Sequence, residues 1–169
     1  MSRRDSFRVE ALIEGAVAGA LGTLIMDVVT TGVQRMQSAA DAEREAAARP
    51  RGQSSVTNLV DRVSEGLGIR LDQLSRELAA SATHYALGII PGAAYAVVRD
   101  RFLPVRAGRG ILFGLALWVV NDELLNSALG LSGPPEAYPL SSHMRGLIGH
   151  VVLGVATDLG IELADRLRM

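Results

Sequence analysis

Residues Gly110–Leu131 read GILFGLALWVVNDELLNSALGL. The stretch is apolar, glycine-spaced and long enough to cross a bilayer, yet Asn121, Asp122 and Glu123 sit in its middle. About 20 apolar residues span the ~30 Å hydrocarbon layer at ~1.5 Å per residue. Three further stretches have the same character. Ala11–Val33 carries only Glu14 and Asp27, and Leu78–Val98 has no Asp, Glu, Lys or Arg. Gly146–Ala164 is the fourth. A soluble bundle would alternate apolar stripes with charged faces, and the second stretch is apolar or small all round. The expected fold is therefore all-α. It is a single-domain integral membrane four-helix bundle, with spans at about 11–33, 78–98, 110–131 and 146–164.

Composition agrees with spans joined by a sizeable polar segment. Among 169 residues, 49% are hydrophobic and 21% charged, and the net charge is −1. Mean hydropathy is +0.24. A near-neutral chain has no bulk field to attract nucleic acid, so the bilayer is the expected partner. With no cysteine there is no disulfide and no thiolate metal site. The polar segment 34–77 balances seven Arg against seven acidic residues. Ser38–Arg49 reads as an extension of the first helix, and Val56–Glu77 as one or two short amphipathic helices. The N-terminal stretch reads as the start of a long helix rather than a cleavable signal.

Glycines spaced by four recur in three of the spans, as Gly15 and Gly19, Gly88 and Gly92, and Gly110 and Gly114. This spacing puts both glycines on one face and lets a neighbouring backbone approach closely. Faces of this kind left over after packing can mediate a homo-oligomer. Pro91 interrupts the second span and frees a carbonyl that a neighbour must cover. Arg is concentrated at the N-terminus (Arg3, Arg4, Arg8), in residues 99–109 (Arg99, Arg101, Arg106, Arg109) and at the C-terminus (Arg166, Arg168). The positive-inside rule then makes both termini cytoplasmic. It turns the first loop and the Pro-rich third loop, Ser132–Arg145, to the other side.

That orientation explains the acidic interruption. Counted from the outer ends, Asp27 lies about seven residues in, His84 about six, Asp122 and Glu123 about eight or nine, and His150 about four. All fall ~6–13 Å below the outer boundary, so four helices deliver titratable groups to one depth. Carboxylates are costly in hydrocarbon and must face the protein interior or water. His84 and His150 are their natural partners. Asp122 and Glu123 are ~100° apart on an α-helix, so Glu123 is expected inward and Asp122 toward a neighbouring helix or cap, or the reverse. His143 is expected in solvent.

Such a layer can fix helix register, handle protons or ions, or hold a metal or haem. Proton or ion handling is the reading carried forward, with no cofactor and no catalytic residue assigned. Ser81 lies near His84, but no nucleophile elbow accompanies them, so no enzyme activity is expected. Glu14 and Asp158, near the cytoplasmic ends, are expected to anchor on Arg.

Three segments together carry a resemblance: HYALGIIPGAAY (His84–Tyr95), the opening stretch, and HMRGLIGHVVLG (His143–Gly154). They resemble the YagU-like family of small four-span bacterial inner-membrane proteins. The resemblance implies a bacterial cytoplasmic-membrane location and a link to acid tolerance, and supplies no catalytic residues. That family's pattern places a Pro after the acidic residue of the third span. Here Asn126 and Ser127 stand there, so the helix is expected to continue.

Overall fold

The structure is a computed structural model whose described residues are 3–99, 102, 105 and 108–167. Of the arginines that set the expected topology, Arg101, Arg106 and Arg168 and the side chains of Arg3, Arg4 and Arg8 lie outside the described set. Among the described residues the chain is all helical. Its helices are α1 (Arg3–Gln34), α2 (Ala39–Ala48), α3 (Ser55–Gly66), α4 (Gln73–Val98), α5 (Ile111–Ala128) and α6 (Leu140–Leu167). By length and composition, Val9–Gln34 of α1 and the whole of α5 and α6 can cross a membrane. The fourth expected span, α4, is not among them. Its 26 residues include Gln73, Arg76 and Glu77 at the start, and His84, two Tyr and Pro91 further along.

Several boundaries differ from those read in the sequence, each for a local reason. Ser38–Arg49 does not prolong α1. The chain turns after Gln34, and the Ser38 hydroxyl caps a new helix by accepting from the Asp41 amide, satisfying one of its open N–H groups. The Asp72 carboxylate caps α4 in the same way through the Ser75 amide. Residues 73–77 thus belong to α4 rather than to a separate amphipathic helix before it. Gly130, with φ 64°, follows the end of α5 and shortens the expected span by three residues. α6 begins six residues early, at Leu140.

The long helices pack in the order α4, α1, α6, α5. Glycine makes this possible. A methyl group added at Gly15 would strike the Gly92 carbonyl, and one at Gly88 would strike Thr23 Oγ1. The expected pairs on α1 and α4 therefore meet each other directly. Gly110 and Gly114 lie just as tightly against the Gly154 and His150 carbonyls of α6. Thr23 and Thr157 are fully buried at the centre, and their hydroxyls donate to the Gly19 and Leu153 carbonyls of their own helices.

Large apolar side chains point outward instead. On α1, Val9, Leu12, Ile13, Val17, Leu21, Leu24, Ile25 and Val28 form an exposed stripe at helical spacing. Small residues inside and large apolar residues outside is the arrangement suited to a lipid solvent, where association comes from close packing rather than from burying Leu and Val.

Contacts 15–92 with 19–88, 22–157 with 18–160, and 110–154 with 114–150 make neighbouring helices antiparallel. The start of α1, the end of α6 and residue 110 therefore share one end of the molecule. At the other end sit α2, α3 and residues 129–139. The Asn58 amide donates to the Leu131 carbonyl and the Tyr138 hydroxyl to the Ala48 carbonyl. α3 is also tied to α4 by the Arg76–Asp61 ion pair.

Candidate functional site

The capped end is where the acidic interruption of α5 lies. Residues Trp118–Leu125 form a π-helical segment, in which the Asn126 amide donates to the Asn121 carbonyl five residues back. A wider turn brings successive side chains closer in direction than the ~100° of an α-helix. Asp122 and Glu123 consequently both face protein, on adjacent bearings.

Each of the three histidines meets a different carboxylate. His84 Nε2 of α4 lies 2.7 Å from Asp27 Oδ1 of α1. His143 Nδ1 of α6 lies 2.7 Å from Glu123 Oε1. His150 Nδ1, one level deeper on α6, lies 3.5 Å from Asp122 Oδ2 and 3.0 Å from the Gly146 carbonyl. The second nitrogen of His143, Nε2, is 3.0 Å from the Pro135 carbonyl. Both its nitrogens therefore face oxygen acceptors, and a ring that donates at both is the imidazolium.

Two expectations change here. His143 is not in solvent: the early start of α6 lifts it onto the helix, and the Pro-rich segment supplies its second partner. Glu123 turns to this capping side, while Asp122 takes the inner place against His150, the reverse of the first assignment. The sequence held one signal for His143, since it precedes His150 by seven residues. That is about two helical turns, and so the same face.

Two cavities flank Asp122. The first, about 210 Å³, lies among Trp118, Asp122, Glu123, His143, Arg145 and Arg49. The second, about 180 Å³, lies between α4 and α5 with α3 over it, and has His84, Asn121, Asp122 and His150 on a wall otherwise formed by residues such as Leu87 and Leu125. Asp122 thus borders both spaces, and His84 and His150 share one. Asp27, His84, Asp122, Glu123 and His150 are all drawn to this end, on four helices. Among the described residues, no three His, Asp or Glu side chains gather as a metal site.

Glu45 of α2, missed in the sequence, ties the cap down. It is 4% exposed and accepts from Arg145 at 2.6 Å, Ser142 at 2.7 Å and Gln37 at 2.9 Å, as well as from Arg49. Burial pushes its carboxyl up, but the bonds from Arg145, Ser142 and Gln37 and the Arg145 charge outweigh it. Its pKa is lowered from 4.5 to about 2.

The opposite end holds a separate buried group. Asp158 and Arg99 are each 2% exposed and lie 3.4 Å apart, and the Tyr95 hydroxyl donates to Asp158 at 2.7 Å. The expected Arg anchor for Asp158 is present, buried between helices rather than at an interface.

Neither curated proteins nor solved structures contain a match to the chain. A family model does match, over residues 45–159, a span that runs from the cap-tethering Glu45 through His84, Asp122, Glu123, His143 and His150 and leaves out Asp27. Since it covers more than half of the sequence, the chain belongs to the family described as protein of unknown function, DUF1440.

Proposed function

We propose that the chain is a non-enzymatic, multi-pass membrane protein that takes up and releases protons at its capped end. The observation that carries this reading is that three imidazoles, from α4 and α6, each pair with a separate carboxylate within 2.7–3.5 Å. Histidine is the side chain whose ordinary titration falls between pH 5 and 8. A pair of this type changes charge with little movement, and Asp122 borders both cavities so that one proton can alter its neighbours.

The proposal includes α4 as a fourth span, both termini on the cytoplasmic side of a bacterial inner membrane, and a role in acid stress. It favours sensing or one-sided proton uptake over conduction. Below the pairs, the helices are closed by glycine contacts, and the buried Thr23 and Thr157 hydroxyls donate to their own helices. A scaffold role would keep the same contacts and show no titration.

The chain's one tryptophan, Trp118, stands on the π segment beside Asp122 and serves as a reporter. Its emission in detergent or nanodiscs should change between about pH 5 and 8, and the change should vanish in the His143→Gln, His150→Gln double variant. A flat wild-type profile overturns the reading. Proteoliposomes should show background proton flux for both wild type and Glu123→Gln. Wild-type flux above that of the variant would replace uptake by conduction.

A further inference from the structure

The first cavity has a property that proton handling alone does not use: on its wall stand donor groups without a full set of partners. Trp118 Nε1 is buried without a hydrogen-bond partner. Arg49 places one guanidinium nitrogen on Glu45, and its side chain is 34% exposed. The first turn of α3 also lies on the wall, through Ser54 and Ser55, and helix N-termini favour negative charge. Glu45 is already occupied by four donor residues, so it does not satisfy these groups. At about 210 Å³ the space is smaller than the ~300–1,000 Å³ of drug-sized sites, and fits a molecule of a few heavy atoms.

The charged groups facing this space are Glu45 and Arg49 from α2, Asp122 and Glu123 from α5, and His143 and Arg145 from α6. With His143 neutral and all three carboxyls ionised, they leave one net negative charge. A proton on His143 brings the wall to neutral, and a further proton on Asp122 or Glu123 makes it positive. The same cavity therefore repels an anion when unprotonated and attracts one when protonated.

We propose that this cavity is a binding site for a small carboxylate, taken up together with protons, with Arg49 and the Trp118 indole N–H as its main contacts. This deepens the proton-uptake reading and rests on it. Binding is coupled to protonation by linkage, so each favours the other to the same extent.

The test is calorimetric titration of formate, which stays ionised over the range used, into the full chain in neutral phosphatidylcholine nanodiscs at pH 5 and pH 8, with methylammonium as control. Formate should bind at pH 5 and weaken by about tenfold or more at pH 8, as opposed charge is lost from the wall. Arg49→Gln should lose about tenfold at pH 5. Trp118→Phe, which keeps the ring and removes the donor, should lose several-fold, and it remains informative if Arg49→Gln unsettles the cap.

Absence of formate binding at both pH values overturns the proposal, as does methylammonium binding in its place. Equal formate affinity at pH 5 and 8 overturns it too. If Trp118 emission still responds to pH while formate does not bind, this inference falls and proton uptake stands.

Discussion

At the scale of single residues, Glu45 shows how much a buried carboxylate can hold. It joins α2 to Gln37 after α1 and to Ser142 and Arg145 at the start of α6, so one side chain fastens three segments. Its depressed pKa gives a sign that can be checked. A carboxyl at about 2 in the fold against an ordinary 4.5 contributes stability that is full above pH ~4.5 and is lost as pH falls toward 2. Glu45→Gln should therefore lower thermal stability at pH 7, by about 3–5 kcal/mol, as for a buried ion pair that loses one partner. Wild type and variant should converge as pH falls to about 2. Melting curves from pH 7 to 2 that keep a constant gap would show that Glu45 acts by shape and not by charge. Its neighbours in the pairs, His84 and His150, stood out in the sequence because they interrupt apolar stretches. Glu45 did not, because it lies in AADAEREAAA, where three acids and one arginine sit among alanines as on any solvated helix. Its burial depends on Arg145, 100 residues away, and no local pattern carries that.

At the scale of elements, helices and close-packed glycines were legible and local geometry was not. Apolar length marks α1, α5 and α6, and four-residue glycine spacing anticipates the α1–α4 contact. The π segment leaves no such mark. WVVNDELL has neither Pro nor Gly and reads as ordinary helix. What holds it wide is tertiary: Gly114 is pinned against the His150 carbonyl, while further along Glu123 must reach His143 and Asp122 must reach His150. One extra residue in the turn reconciles these demands, and π turns recur where side chains are positioned for function. Deleting Val120, which is exposed, should restore α-helical pitch and open the angle between Asp122 and Glu123 to ~100°. Helix content should be retained while the pH response of Trp118 emission falls by more than half. A deletion variant with the wild-type pH profile would show that the pairs do not depend on the π turn.

At the scale of the whole molecule, α4 is tied to its neighbours along most of its length. α4 lies along α1 through Gly88 and Gly92, reaches Asp158 of α6 through Tyr95 and Arg99 at one end, and reaches Asp27 through His84 toward the other. The proposed fourth span rests on this packing, which holds α4 beside α1 over that length. The polar residues of α4 are turned toward partners: His84 meets Asp27, and Tyr95 is buried and stacks on Phe113 at 4.4 Å. The chain lacks cysteine, so single cysteines report sidedness without background. Met36, 86% exposed after the end of α1, and Leu167, 80% exposed at the end of α6, are separated by α4, α5 and α6. Three crossings put them on opposite sides of the membrane, and two put them on the same side. Met36→Cys should react with a membrane-impermeant maleimide from outside the cell, whereas Leu167→Cys should react only after permeabilisation. Labelling of both from one side would remove α4 from the membrane, and with it the proposed fourth span.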